Sequence, residues 1–213
     1  MFSTKPRAKT ELDFLAALER GEVVTQATLS RRIGIAIGLV NALLKRATLK
    51  GFVKVRTAPY KRYAYYLTPR GFAEKSRLVA EYLEVSLEFF REARRQYQDL
   101  LWRAEQSGRK RLVLVGGGEL AEIAVLASRD LGIELVAVVD AETNRGQLFG
   151  LPVVRDIGQA QGWDAVVITD SKRPQAIYDE IKASVDPVRV LAPELLKITV
   201  APPDALEEGE SAA

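Results

Sequence analysis

Two sets of residues in this 213-residue chain have types and spacing that could do chemistry. The first is Gly116-Gly117-Gly118-Glu119-Leu120-Ala121, which follows the apolar run Arg111–Val115. A second apolar run, Leu135–Val139, ends in Asp140. Glycines at a strand-to-helix turn let phosphate oxygens approach helix amides, and Ala121 allows close helix–strand packing. The Asp140 carboxylate can accept from ribose hydroxyls. A G-x-G-x-x-A run alone is weak, but strand, turn, helix, strand and terminal acid stand here in register. Thr169 and Asp170 close a later apolar run and so fall on the same rim. The candidate ligand-holding residues are therefore Gly116, Gly117, Gly118, Glu119, Asp140, Thr169 and Asp170. Against them stands Glu119, whose carboxylate would lie where a pyrophosphate should. A Rossmann-like domain that has kept its fold without a ligand is the alternative.

The second set lies between Glu22 and Glu74, where 51 residues pass without an Asp or Glu. Residues 1–71 hold 14 Lys and Arg against 4 Asp and Glu, although the whole chain carries only +3. A basic module joined to an acidic one suits a polyanionic partner. Leu29, Ile33, Ile37, Val40, Leu43 and Leu44 are spaced to line one side of two short helices. On the other sides, Gly38 would permit close backbone approach and Asn41 a bidentate contact to adenine. Lys45, Arg46, Ser30, Arg31 and Arg32 suit phosphates, and Lys61 and Arg62 suit a minor groove or flanking phosphates. The plainer readings are a solvated charged face, and Asn41 as an ordinary surface residue.

Other chemistry is poorly supplied. There is no Cys, which removes disulfides and thiolate chemistry, and no His, the commonest general base and metal ligand. Tyr178 and Lys182 stand four apart, as in short-chain dehydrogenases, but an amphipathic helix explains the spacing equally. No apolar run approaches the ~18 residues of a membrane span. A soluble, cytoplasmic, non-enzymatic protein is expected, with no cofactor required.

The elements that must position these residues follow from caps, breakers and periodicity. A polar arm (1–9) precedes a helix over Glu11–Glu19 capped by Thr10, then a helix Gln26–Ile33 capped by Thr25 and stopped at Gly34. A third helix runs from Ile37 to Lys50, and strands Phe52–Arg56 and Tyr63–Leu67 flank a basic loop. Three helices and a hairpin make a winged helix-turn-helix, whose third helix enters the major groove. From Pro69 no Gly or Pro intervenes between Gly71 and Gly108, so Phe72–Gln106 reads as one long helix of ~50 Å. It carries two apolar stripes, which one domain's core could absorb or a homodimer seam could cover. Strands Gly150–Val154, Ala165–Thr169 and Val188–Leu191, with helices at 156–161 and 174–183, complete a five-stranded parallel sheet. The expected domains are a winged helix at 1–71, a connecting helix at 72–107, a Rossmann-like domain at 108–200 and a disordered tail at 201–213. The fold class is thus α/β with two domains.

Family resemblances add to this. Ile35–Lys45, Lys50-Gly-Phe-Val-Lys54 and Tyr63–Lys75, above all Leu67-Thr-Pro-Arg-Gly71, resemble winged-helix regulators of the MarR type. The branch associated with exopolysaccharide gene clusters is the most similar, over about residues 10–105. This implies a transcription factor near surface-polysaccharide genes; the acid usual in that family's wing is missing at Pro59–Lys61. Leu112–Gly118, Val138-Val-Asp140 and Gly150–Val154 resemble the small Rossmann domain of PglD-type sugar acyltransferases, which implies a nucleotide sugar at Gly116–Glu119 and Asp140. The domain order is also similar to that of the NADH-sensing Rex repressors, whose N-terminal motif differs. The partners expected are double-stranded DNA, a second copy of the chain, and a nucleotide sugar or NAD(H) as effector. A nucleotide-sugar-modifying enzyme or an NAD(H) redox-sensing repressor is the alternative.

Overall fold

The computed structural model describes residues 6–19, 25–58 and 62–200, with side chains for 8–19, 25–56 and 63–200. The chain is mixed α/β and divides into two compact units, residues 1–89 and 90–213. Residues 1–5 of the arm expected at 1–9, residues 59–61 of the expected hairpin loop and the tail at 201–213 lie outside the described residues.

The first unit begins with α1 (Pro6–Leu18), which starts earlier than expected. Proline suits a first helical turn, because its missing N–H has no partner there anyway, so Thr10 lies inside the helix. Helix α2 (Gln26–Ile33) is capped by the Thr25 hydroxyl, which accepts from the Thr28 amide, and ends at Gly34 with φ 73°. Helix α3 (Ile37–Leu49) follows at 107° to α2, within the range of a helix-turn-helix. Strands β1 (Val53–Ala58) and β2 (Arg62–Leu67) pair antiparallel and extend further towards the hairpin tip than expected.

Phe14, Leu15, Leu18, Leu29, Val40 and Leu44 form the core of this unit. Burying such a side chain contributes about 1.5–3 kcal/mol. Ile37 departs from the expectation: it is 48% exposed. Its place in the first turn of α3 carries it past the edge of that core. Leu67-Thr-Pro-Arg-Gly71 is explained by packing. The Thr68 hydroxyl donates to the Gly51 carbonyl at 2.6 Å and accepts from the Gly71 amide at 3.1 Å. A Cβ on Gly71 would stand 2.1 Å from the Phe52 carbonyl oxygen, so only glycine fits.

Helix α4 (Pro69–Gln106) has 38 residues, about 57 Å at 1.5 Å each, and starts at Pro69 rather than Phe72. Its first turns belong to the first unit and its later turns to the second.

In the second unit the strands are β3 (Arg111–Val115), β4 (Glu134–Val139), β5 (Gln147–Leu148), β6 (Leu151–Val154), β7 (Ala165–Ile168) and β8 (Val190–Leu191). The helices are α5 (Glu119–Ser128) and α6 (Pro174–Lys182). The sheet runs β5-β6-β4-β3-β7-β8, six strands rather than five, because β5 adds an antiparallel edge by a hairpin to β6. The expected helix at 156–161 is a single 3-10 turn, Ile157–Gln159, and Val188 lies in another that leaves β8 only two residues. Alternation sets the layers: Leu112 and Leu114 face Tyr97 and Leu101 of α4 together with α5. Val113 and Val115 face Tyr178 and Ile181 of α6. The later turns of α4 are therefore core of this unit, one of the two fates expected for its apolar residues, although the helix was expected to stand apart from the domain at 108–200. At the entry to β3 the Asp164 carboxylate accepts from the Arg111 and Lys110 amides, which holds its carboxyl below the usual range.

Candidate functional site

The five parallel strands β6-β4-β3-β7-β8 stand, in chain order, as 3-2-1-4-5, the doubly wound arrangement. In such sheets the ligand crevice lies outside the carboxyl ends of the strands, where the order reverses. Here that point is between β3 and β7, and a cleft of about 540 Å³ opens there. It is lined by 115–119, 139–143, 155–157, 169–173 and the near side of α6. All seven candidate residues line it or back it.

Their individual roles differ from those expected. Asp140 is turned onto backbone: one carboxylate oxygen accepts from the Gly117 amide at 3.0 Å, the other from Glu142 and Thr143 at 2.8 and 3.1 Å. The buried Thr169 hydroxyl contacts the carbonyls of Val115 and Gly116 at 3.0 and 2.7 Å. One Asp170 oxygen accepts from the Lys172 and Arg173 amides. These three residues brace the rim, because short polar side chains at strand ends find nearby backbone donors and acceptors.

The glycines separate in the same way. Gly116 has φ 107°, and a Cβ there would meet the Asp170 backbone at 2.6 Å. A Cβ on Gly117 would lie 2.6 Å from both the Asp140 carboxylate and the Leu148 side chain. Gly118 has nothing within 4 Å, so the protein's own packing does not require glycine there. It precedes α5 without a side-chain cap, and exposed Glu119 stands in the first turn.

The sequence reading missed Arg155, Glu142, Lys172 and Arg173, which also line the cleft. Their only signal is position, two or three residues beyond a strand-ending Asp for the last three. Tyr178 is buried in the core at 4% exposure, and Lys182 pairs with Asp179 at 2.8 Å, as an amphipathic helix explains.

The first unit presents a basic face. Gly38, Asn41 and Lys45 of α3 are exposed, and Gly38 has nothing within 4 Å. Asn41 and Lys45 border a shallow groove between α3 and the hairpin that also takes in Gln26, Val55 and Tyr63. Arg31, Lys54 and Arg56 are exposed elsewhere on the first unit. Three expected phosphate ligands have intramolecular partners. The Ser30 hydroxyl donates to the Ile35 carbonyl, Arg32 donates to the Ala17 carbonyl at 3.3 Å, and Arg46 pairs with Glu11 at 3.5 Å. Lys61 lies outside the described residues; Arg62 begins β2, its side chain undescribed.

On α4, Leu83, Leu87 and Phe90, which make up the second apolar stripe, are all exposed, so the chain's own cores do not absorb it. No single helix among the described residues is long and apolar enough to cross a membrane.

No protein-family model matches the chain, and no curated protein does either. Solved structures similar to parts of it include MepR, a transcription regulator of the Staphylococcus aureus multidrug efflux pump MepA, at 16% identity and TM-score 0.34 over 38% of this chain. A second is a MarR family protein of Mycobacterium tuberculosis in complex with p-aminosalicylic acid, at 22% identity and TM-score 0.33 over 37% of this chain. The chain spans 61% of the length of each of these two. A third, PigF with SAH, is 14% identical with TM-score 0.23, over 87% of this chain and 56% of its own.

Proposed function

We propose that this protein is a DNA-binding transcription regulator of the MarR type, acting as a homodimer, with a C-terminal Rossmann-like domain that holds a nucleotide-type effector. The observation that carries the reading is the 107° helix-turn-helix, with Asn41 and Lys45 exposed on its second helix inside a stretch free of acids. In this reading α3 enters the major groove, Asn41 contacts a base, and Lys45, Arg31, Lys54 and Arg56 meet phosphates. The exposed apolar residues of α4 meet those of a second copy, giving two half-sites. The cleft at the switch point of the sheet supports a nucleotide sugar or NAD(H) as the ligand. The resemblance in the first unit suggests surface-polysaccharide genes as the targets.

Fluorescence anisotropy on duplexes from the DNA upstream of the gene tests this. Affinity should fall steeply with salt, and Asn41→Ala should cost about 1–3 kcal/mol at the site while sparing nonspecific binding. Lys45→Ala should weaken all duplexes and flatten the salt slope. Salt-insensitive or absent binding to every upstream duplex would sink the reading.

A further inference from the structure

Asp140 and Asp170 face their own backbone, so the mouth of the cleft is formed by the residues they pin. Asp140 holds the amide of Glu142, in the loop after β4; Asp170 holds those of Lys172 and Arg173, in the loop after β7. Between those loops the Glu142 carboxylate stands 3.7 Å from the Lys172 ammonium and 3.5 Å from the Arg173 guanidinium. All three side chains line the cleft at the switch point of the sheet. We propose that Lys172 and Arg173 are the subsite for the phosphate or diphosphate of the bound ligand, and that Glu142 fills it as a displaceable internal carboxylate. This rests on the nucleotide reading of the cleft.

Three considerations lead there rather than to the glycine turn. The Gly117 amide is taken by Asp140, and the Cα faces of Gly116 and Gly117 are closed by Asp170, Asp140 and Leu148. The carboxylate of Glu119 opposes a second anion at the start of α5. Within the cluster Lys172 and Arg173 carry two positive charges against the single negative one of Glu142, while the cleft as a whole is lined by three cations, these two and Arg155, and six carboxylates, so directed donors rather than net charge would hold a phosphate here. A guanidinium also presents paired donors that match phosphate oxygens.

Exchange should be easy. The side chains of Glu142, Lys172 and Arg173 are 67%, 80% and 58% exposed, and ion pairs so exposed hold weakly. Their backbone is fixed by the two aspartates, so the carboxylate can leave without disturbing the rim. Closing two loops by a displaceable pair would also make the cleft mouth respond to its ligand.

Isothermal titration of the full-length protein with uridine diphosphate, adenosine diphosphate, NADH and inorganic pyrophosphate tests this. Glu142→Gln should tighten the phosphate-bearing probe that binds by several-fold, because the competitor loses its charge. The Lys172→Ala/Arg173→Ala double variant should weaken the same probe by roughly tenfold or more, charge-assisted bonds being the strong ones. The corresponding nucleoside without phosphate should be indifferent to both changes. These positions are exposed, and unchanged melting of the variants checks that the fold is intact. If a nucleotide binds but neither variant alters its affinity, the subsite is overturned while the cleft remains a nucleotide site. If no probe binds wild type or Glu142→Gln, the nucleotide reading falls with it.

Discussion

The glycine turn shows how much one motif can conflate. Gly116, Gly117 and Gly118 are alike in sequence, yet two are required by neighbouring protein atoms and one is not. Gly117→Ala would drive a methyl into the Asp140 carboxylate and Leu148, and should destabilise the second unit by about 1–3 kcal/mol. Gly118→Ala places its Cβ in open space, so beyond a small loss at the α5 N-cap its melting should stay within about 1 kcal/mol of wild type. Its effect should instead appear as weakened nucleotide binding, since Gly118 lines the cleft. Thermal melts and titrations of the two variants together read the difference. Equal destabilisation by both would contradict the packing account.

Among the elements, α4 carries the most. In its last turns Tyr97 is fully buried, and its hydroxyl donates to the Ile168 carbonyl at 3.0 Å. Burial pushes that phenol well above its usual range, so it stays protonated and keeps donating. Ile168 precedes Thr169 and Asp170, which brace Gly116. The helix is thereby bonded to the floor of the cleft. Tyr97→Phe leaves the Ile168 carbonyl buried without this donor and should cost about 1–3 kcal/mol, read by urea denaturation. If nucleotide and DNA binding are linked as proposed, the same change should reduce the effect of nucleotide on DNA affinity while leaving each separate affinity nearly unaltered.

At the scale of the whole molecule the proposal needs two copies. Leu83 and Leu87 are 53% and 50% exposed on α4, more apolar surface than a helix normally leaves to water. Leu83→Glu with Leu87→Glu should shift sedimentation equilibrium from dimer to monomer and weaken duplex binding at least tenfold, with far-UV circular dichroism unchanged. A wild-type monomer at all concentrations would remove the dimer from the account. Any effector can alter DNA affinity only to the extent that it binds two states of the molecule unequally.

The sequence alone determined the order of the main helices and of the five parallel strands, but not the antiparallel edge strand β5. Gly34 stops α2, Thr25 caps it, and the runs at 111–115 and 134–139 become neighbouring parallel strands, because caps, breakers and apolar periodicity act over a few residues. The early start of α1 at Pro6 and the shortness of β8 were less legible, since helix and strand ends are settled by small local differences. Only the tertiary structure decided which groups in the cleft are spent on the protein itself. Asp140, Thr169 and Asp170 look like ligand contacts in a list of residues, but each has backbone partners within 2 to 54 positions along the chain. The turns that Asp140 and Asp170 close two and three residues on are local, but the Gly117 amide on Asp140 and the carbonyls on Thr169 come from 23 to 54 residues away, and only the fold brings those atoms together. The same holds for Tyr97, whose partner Ile168 is 71 residues away.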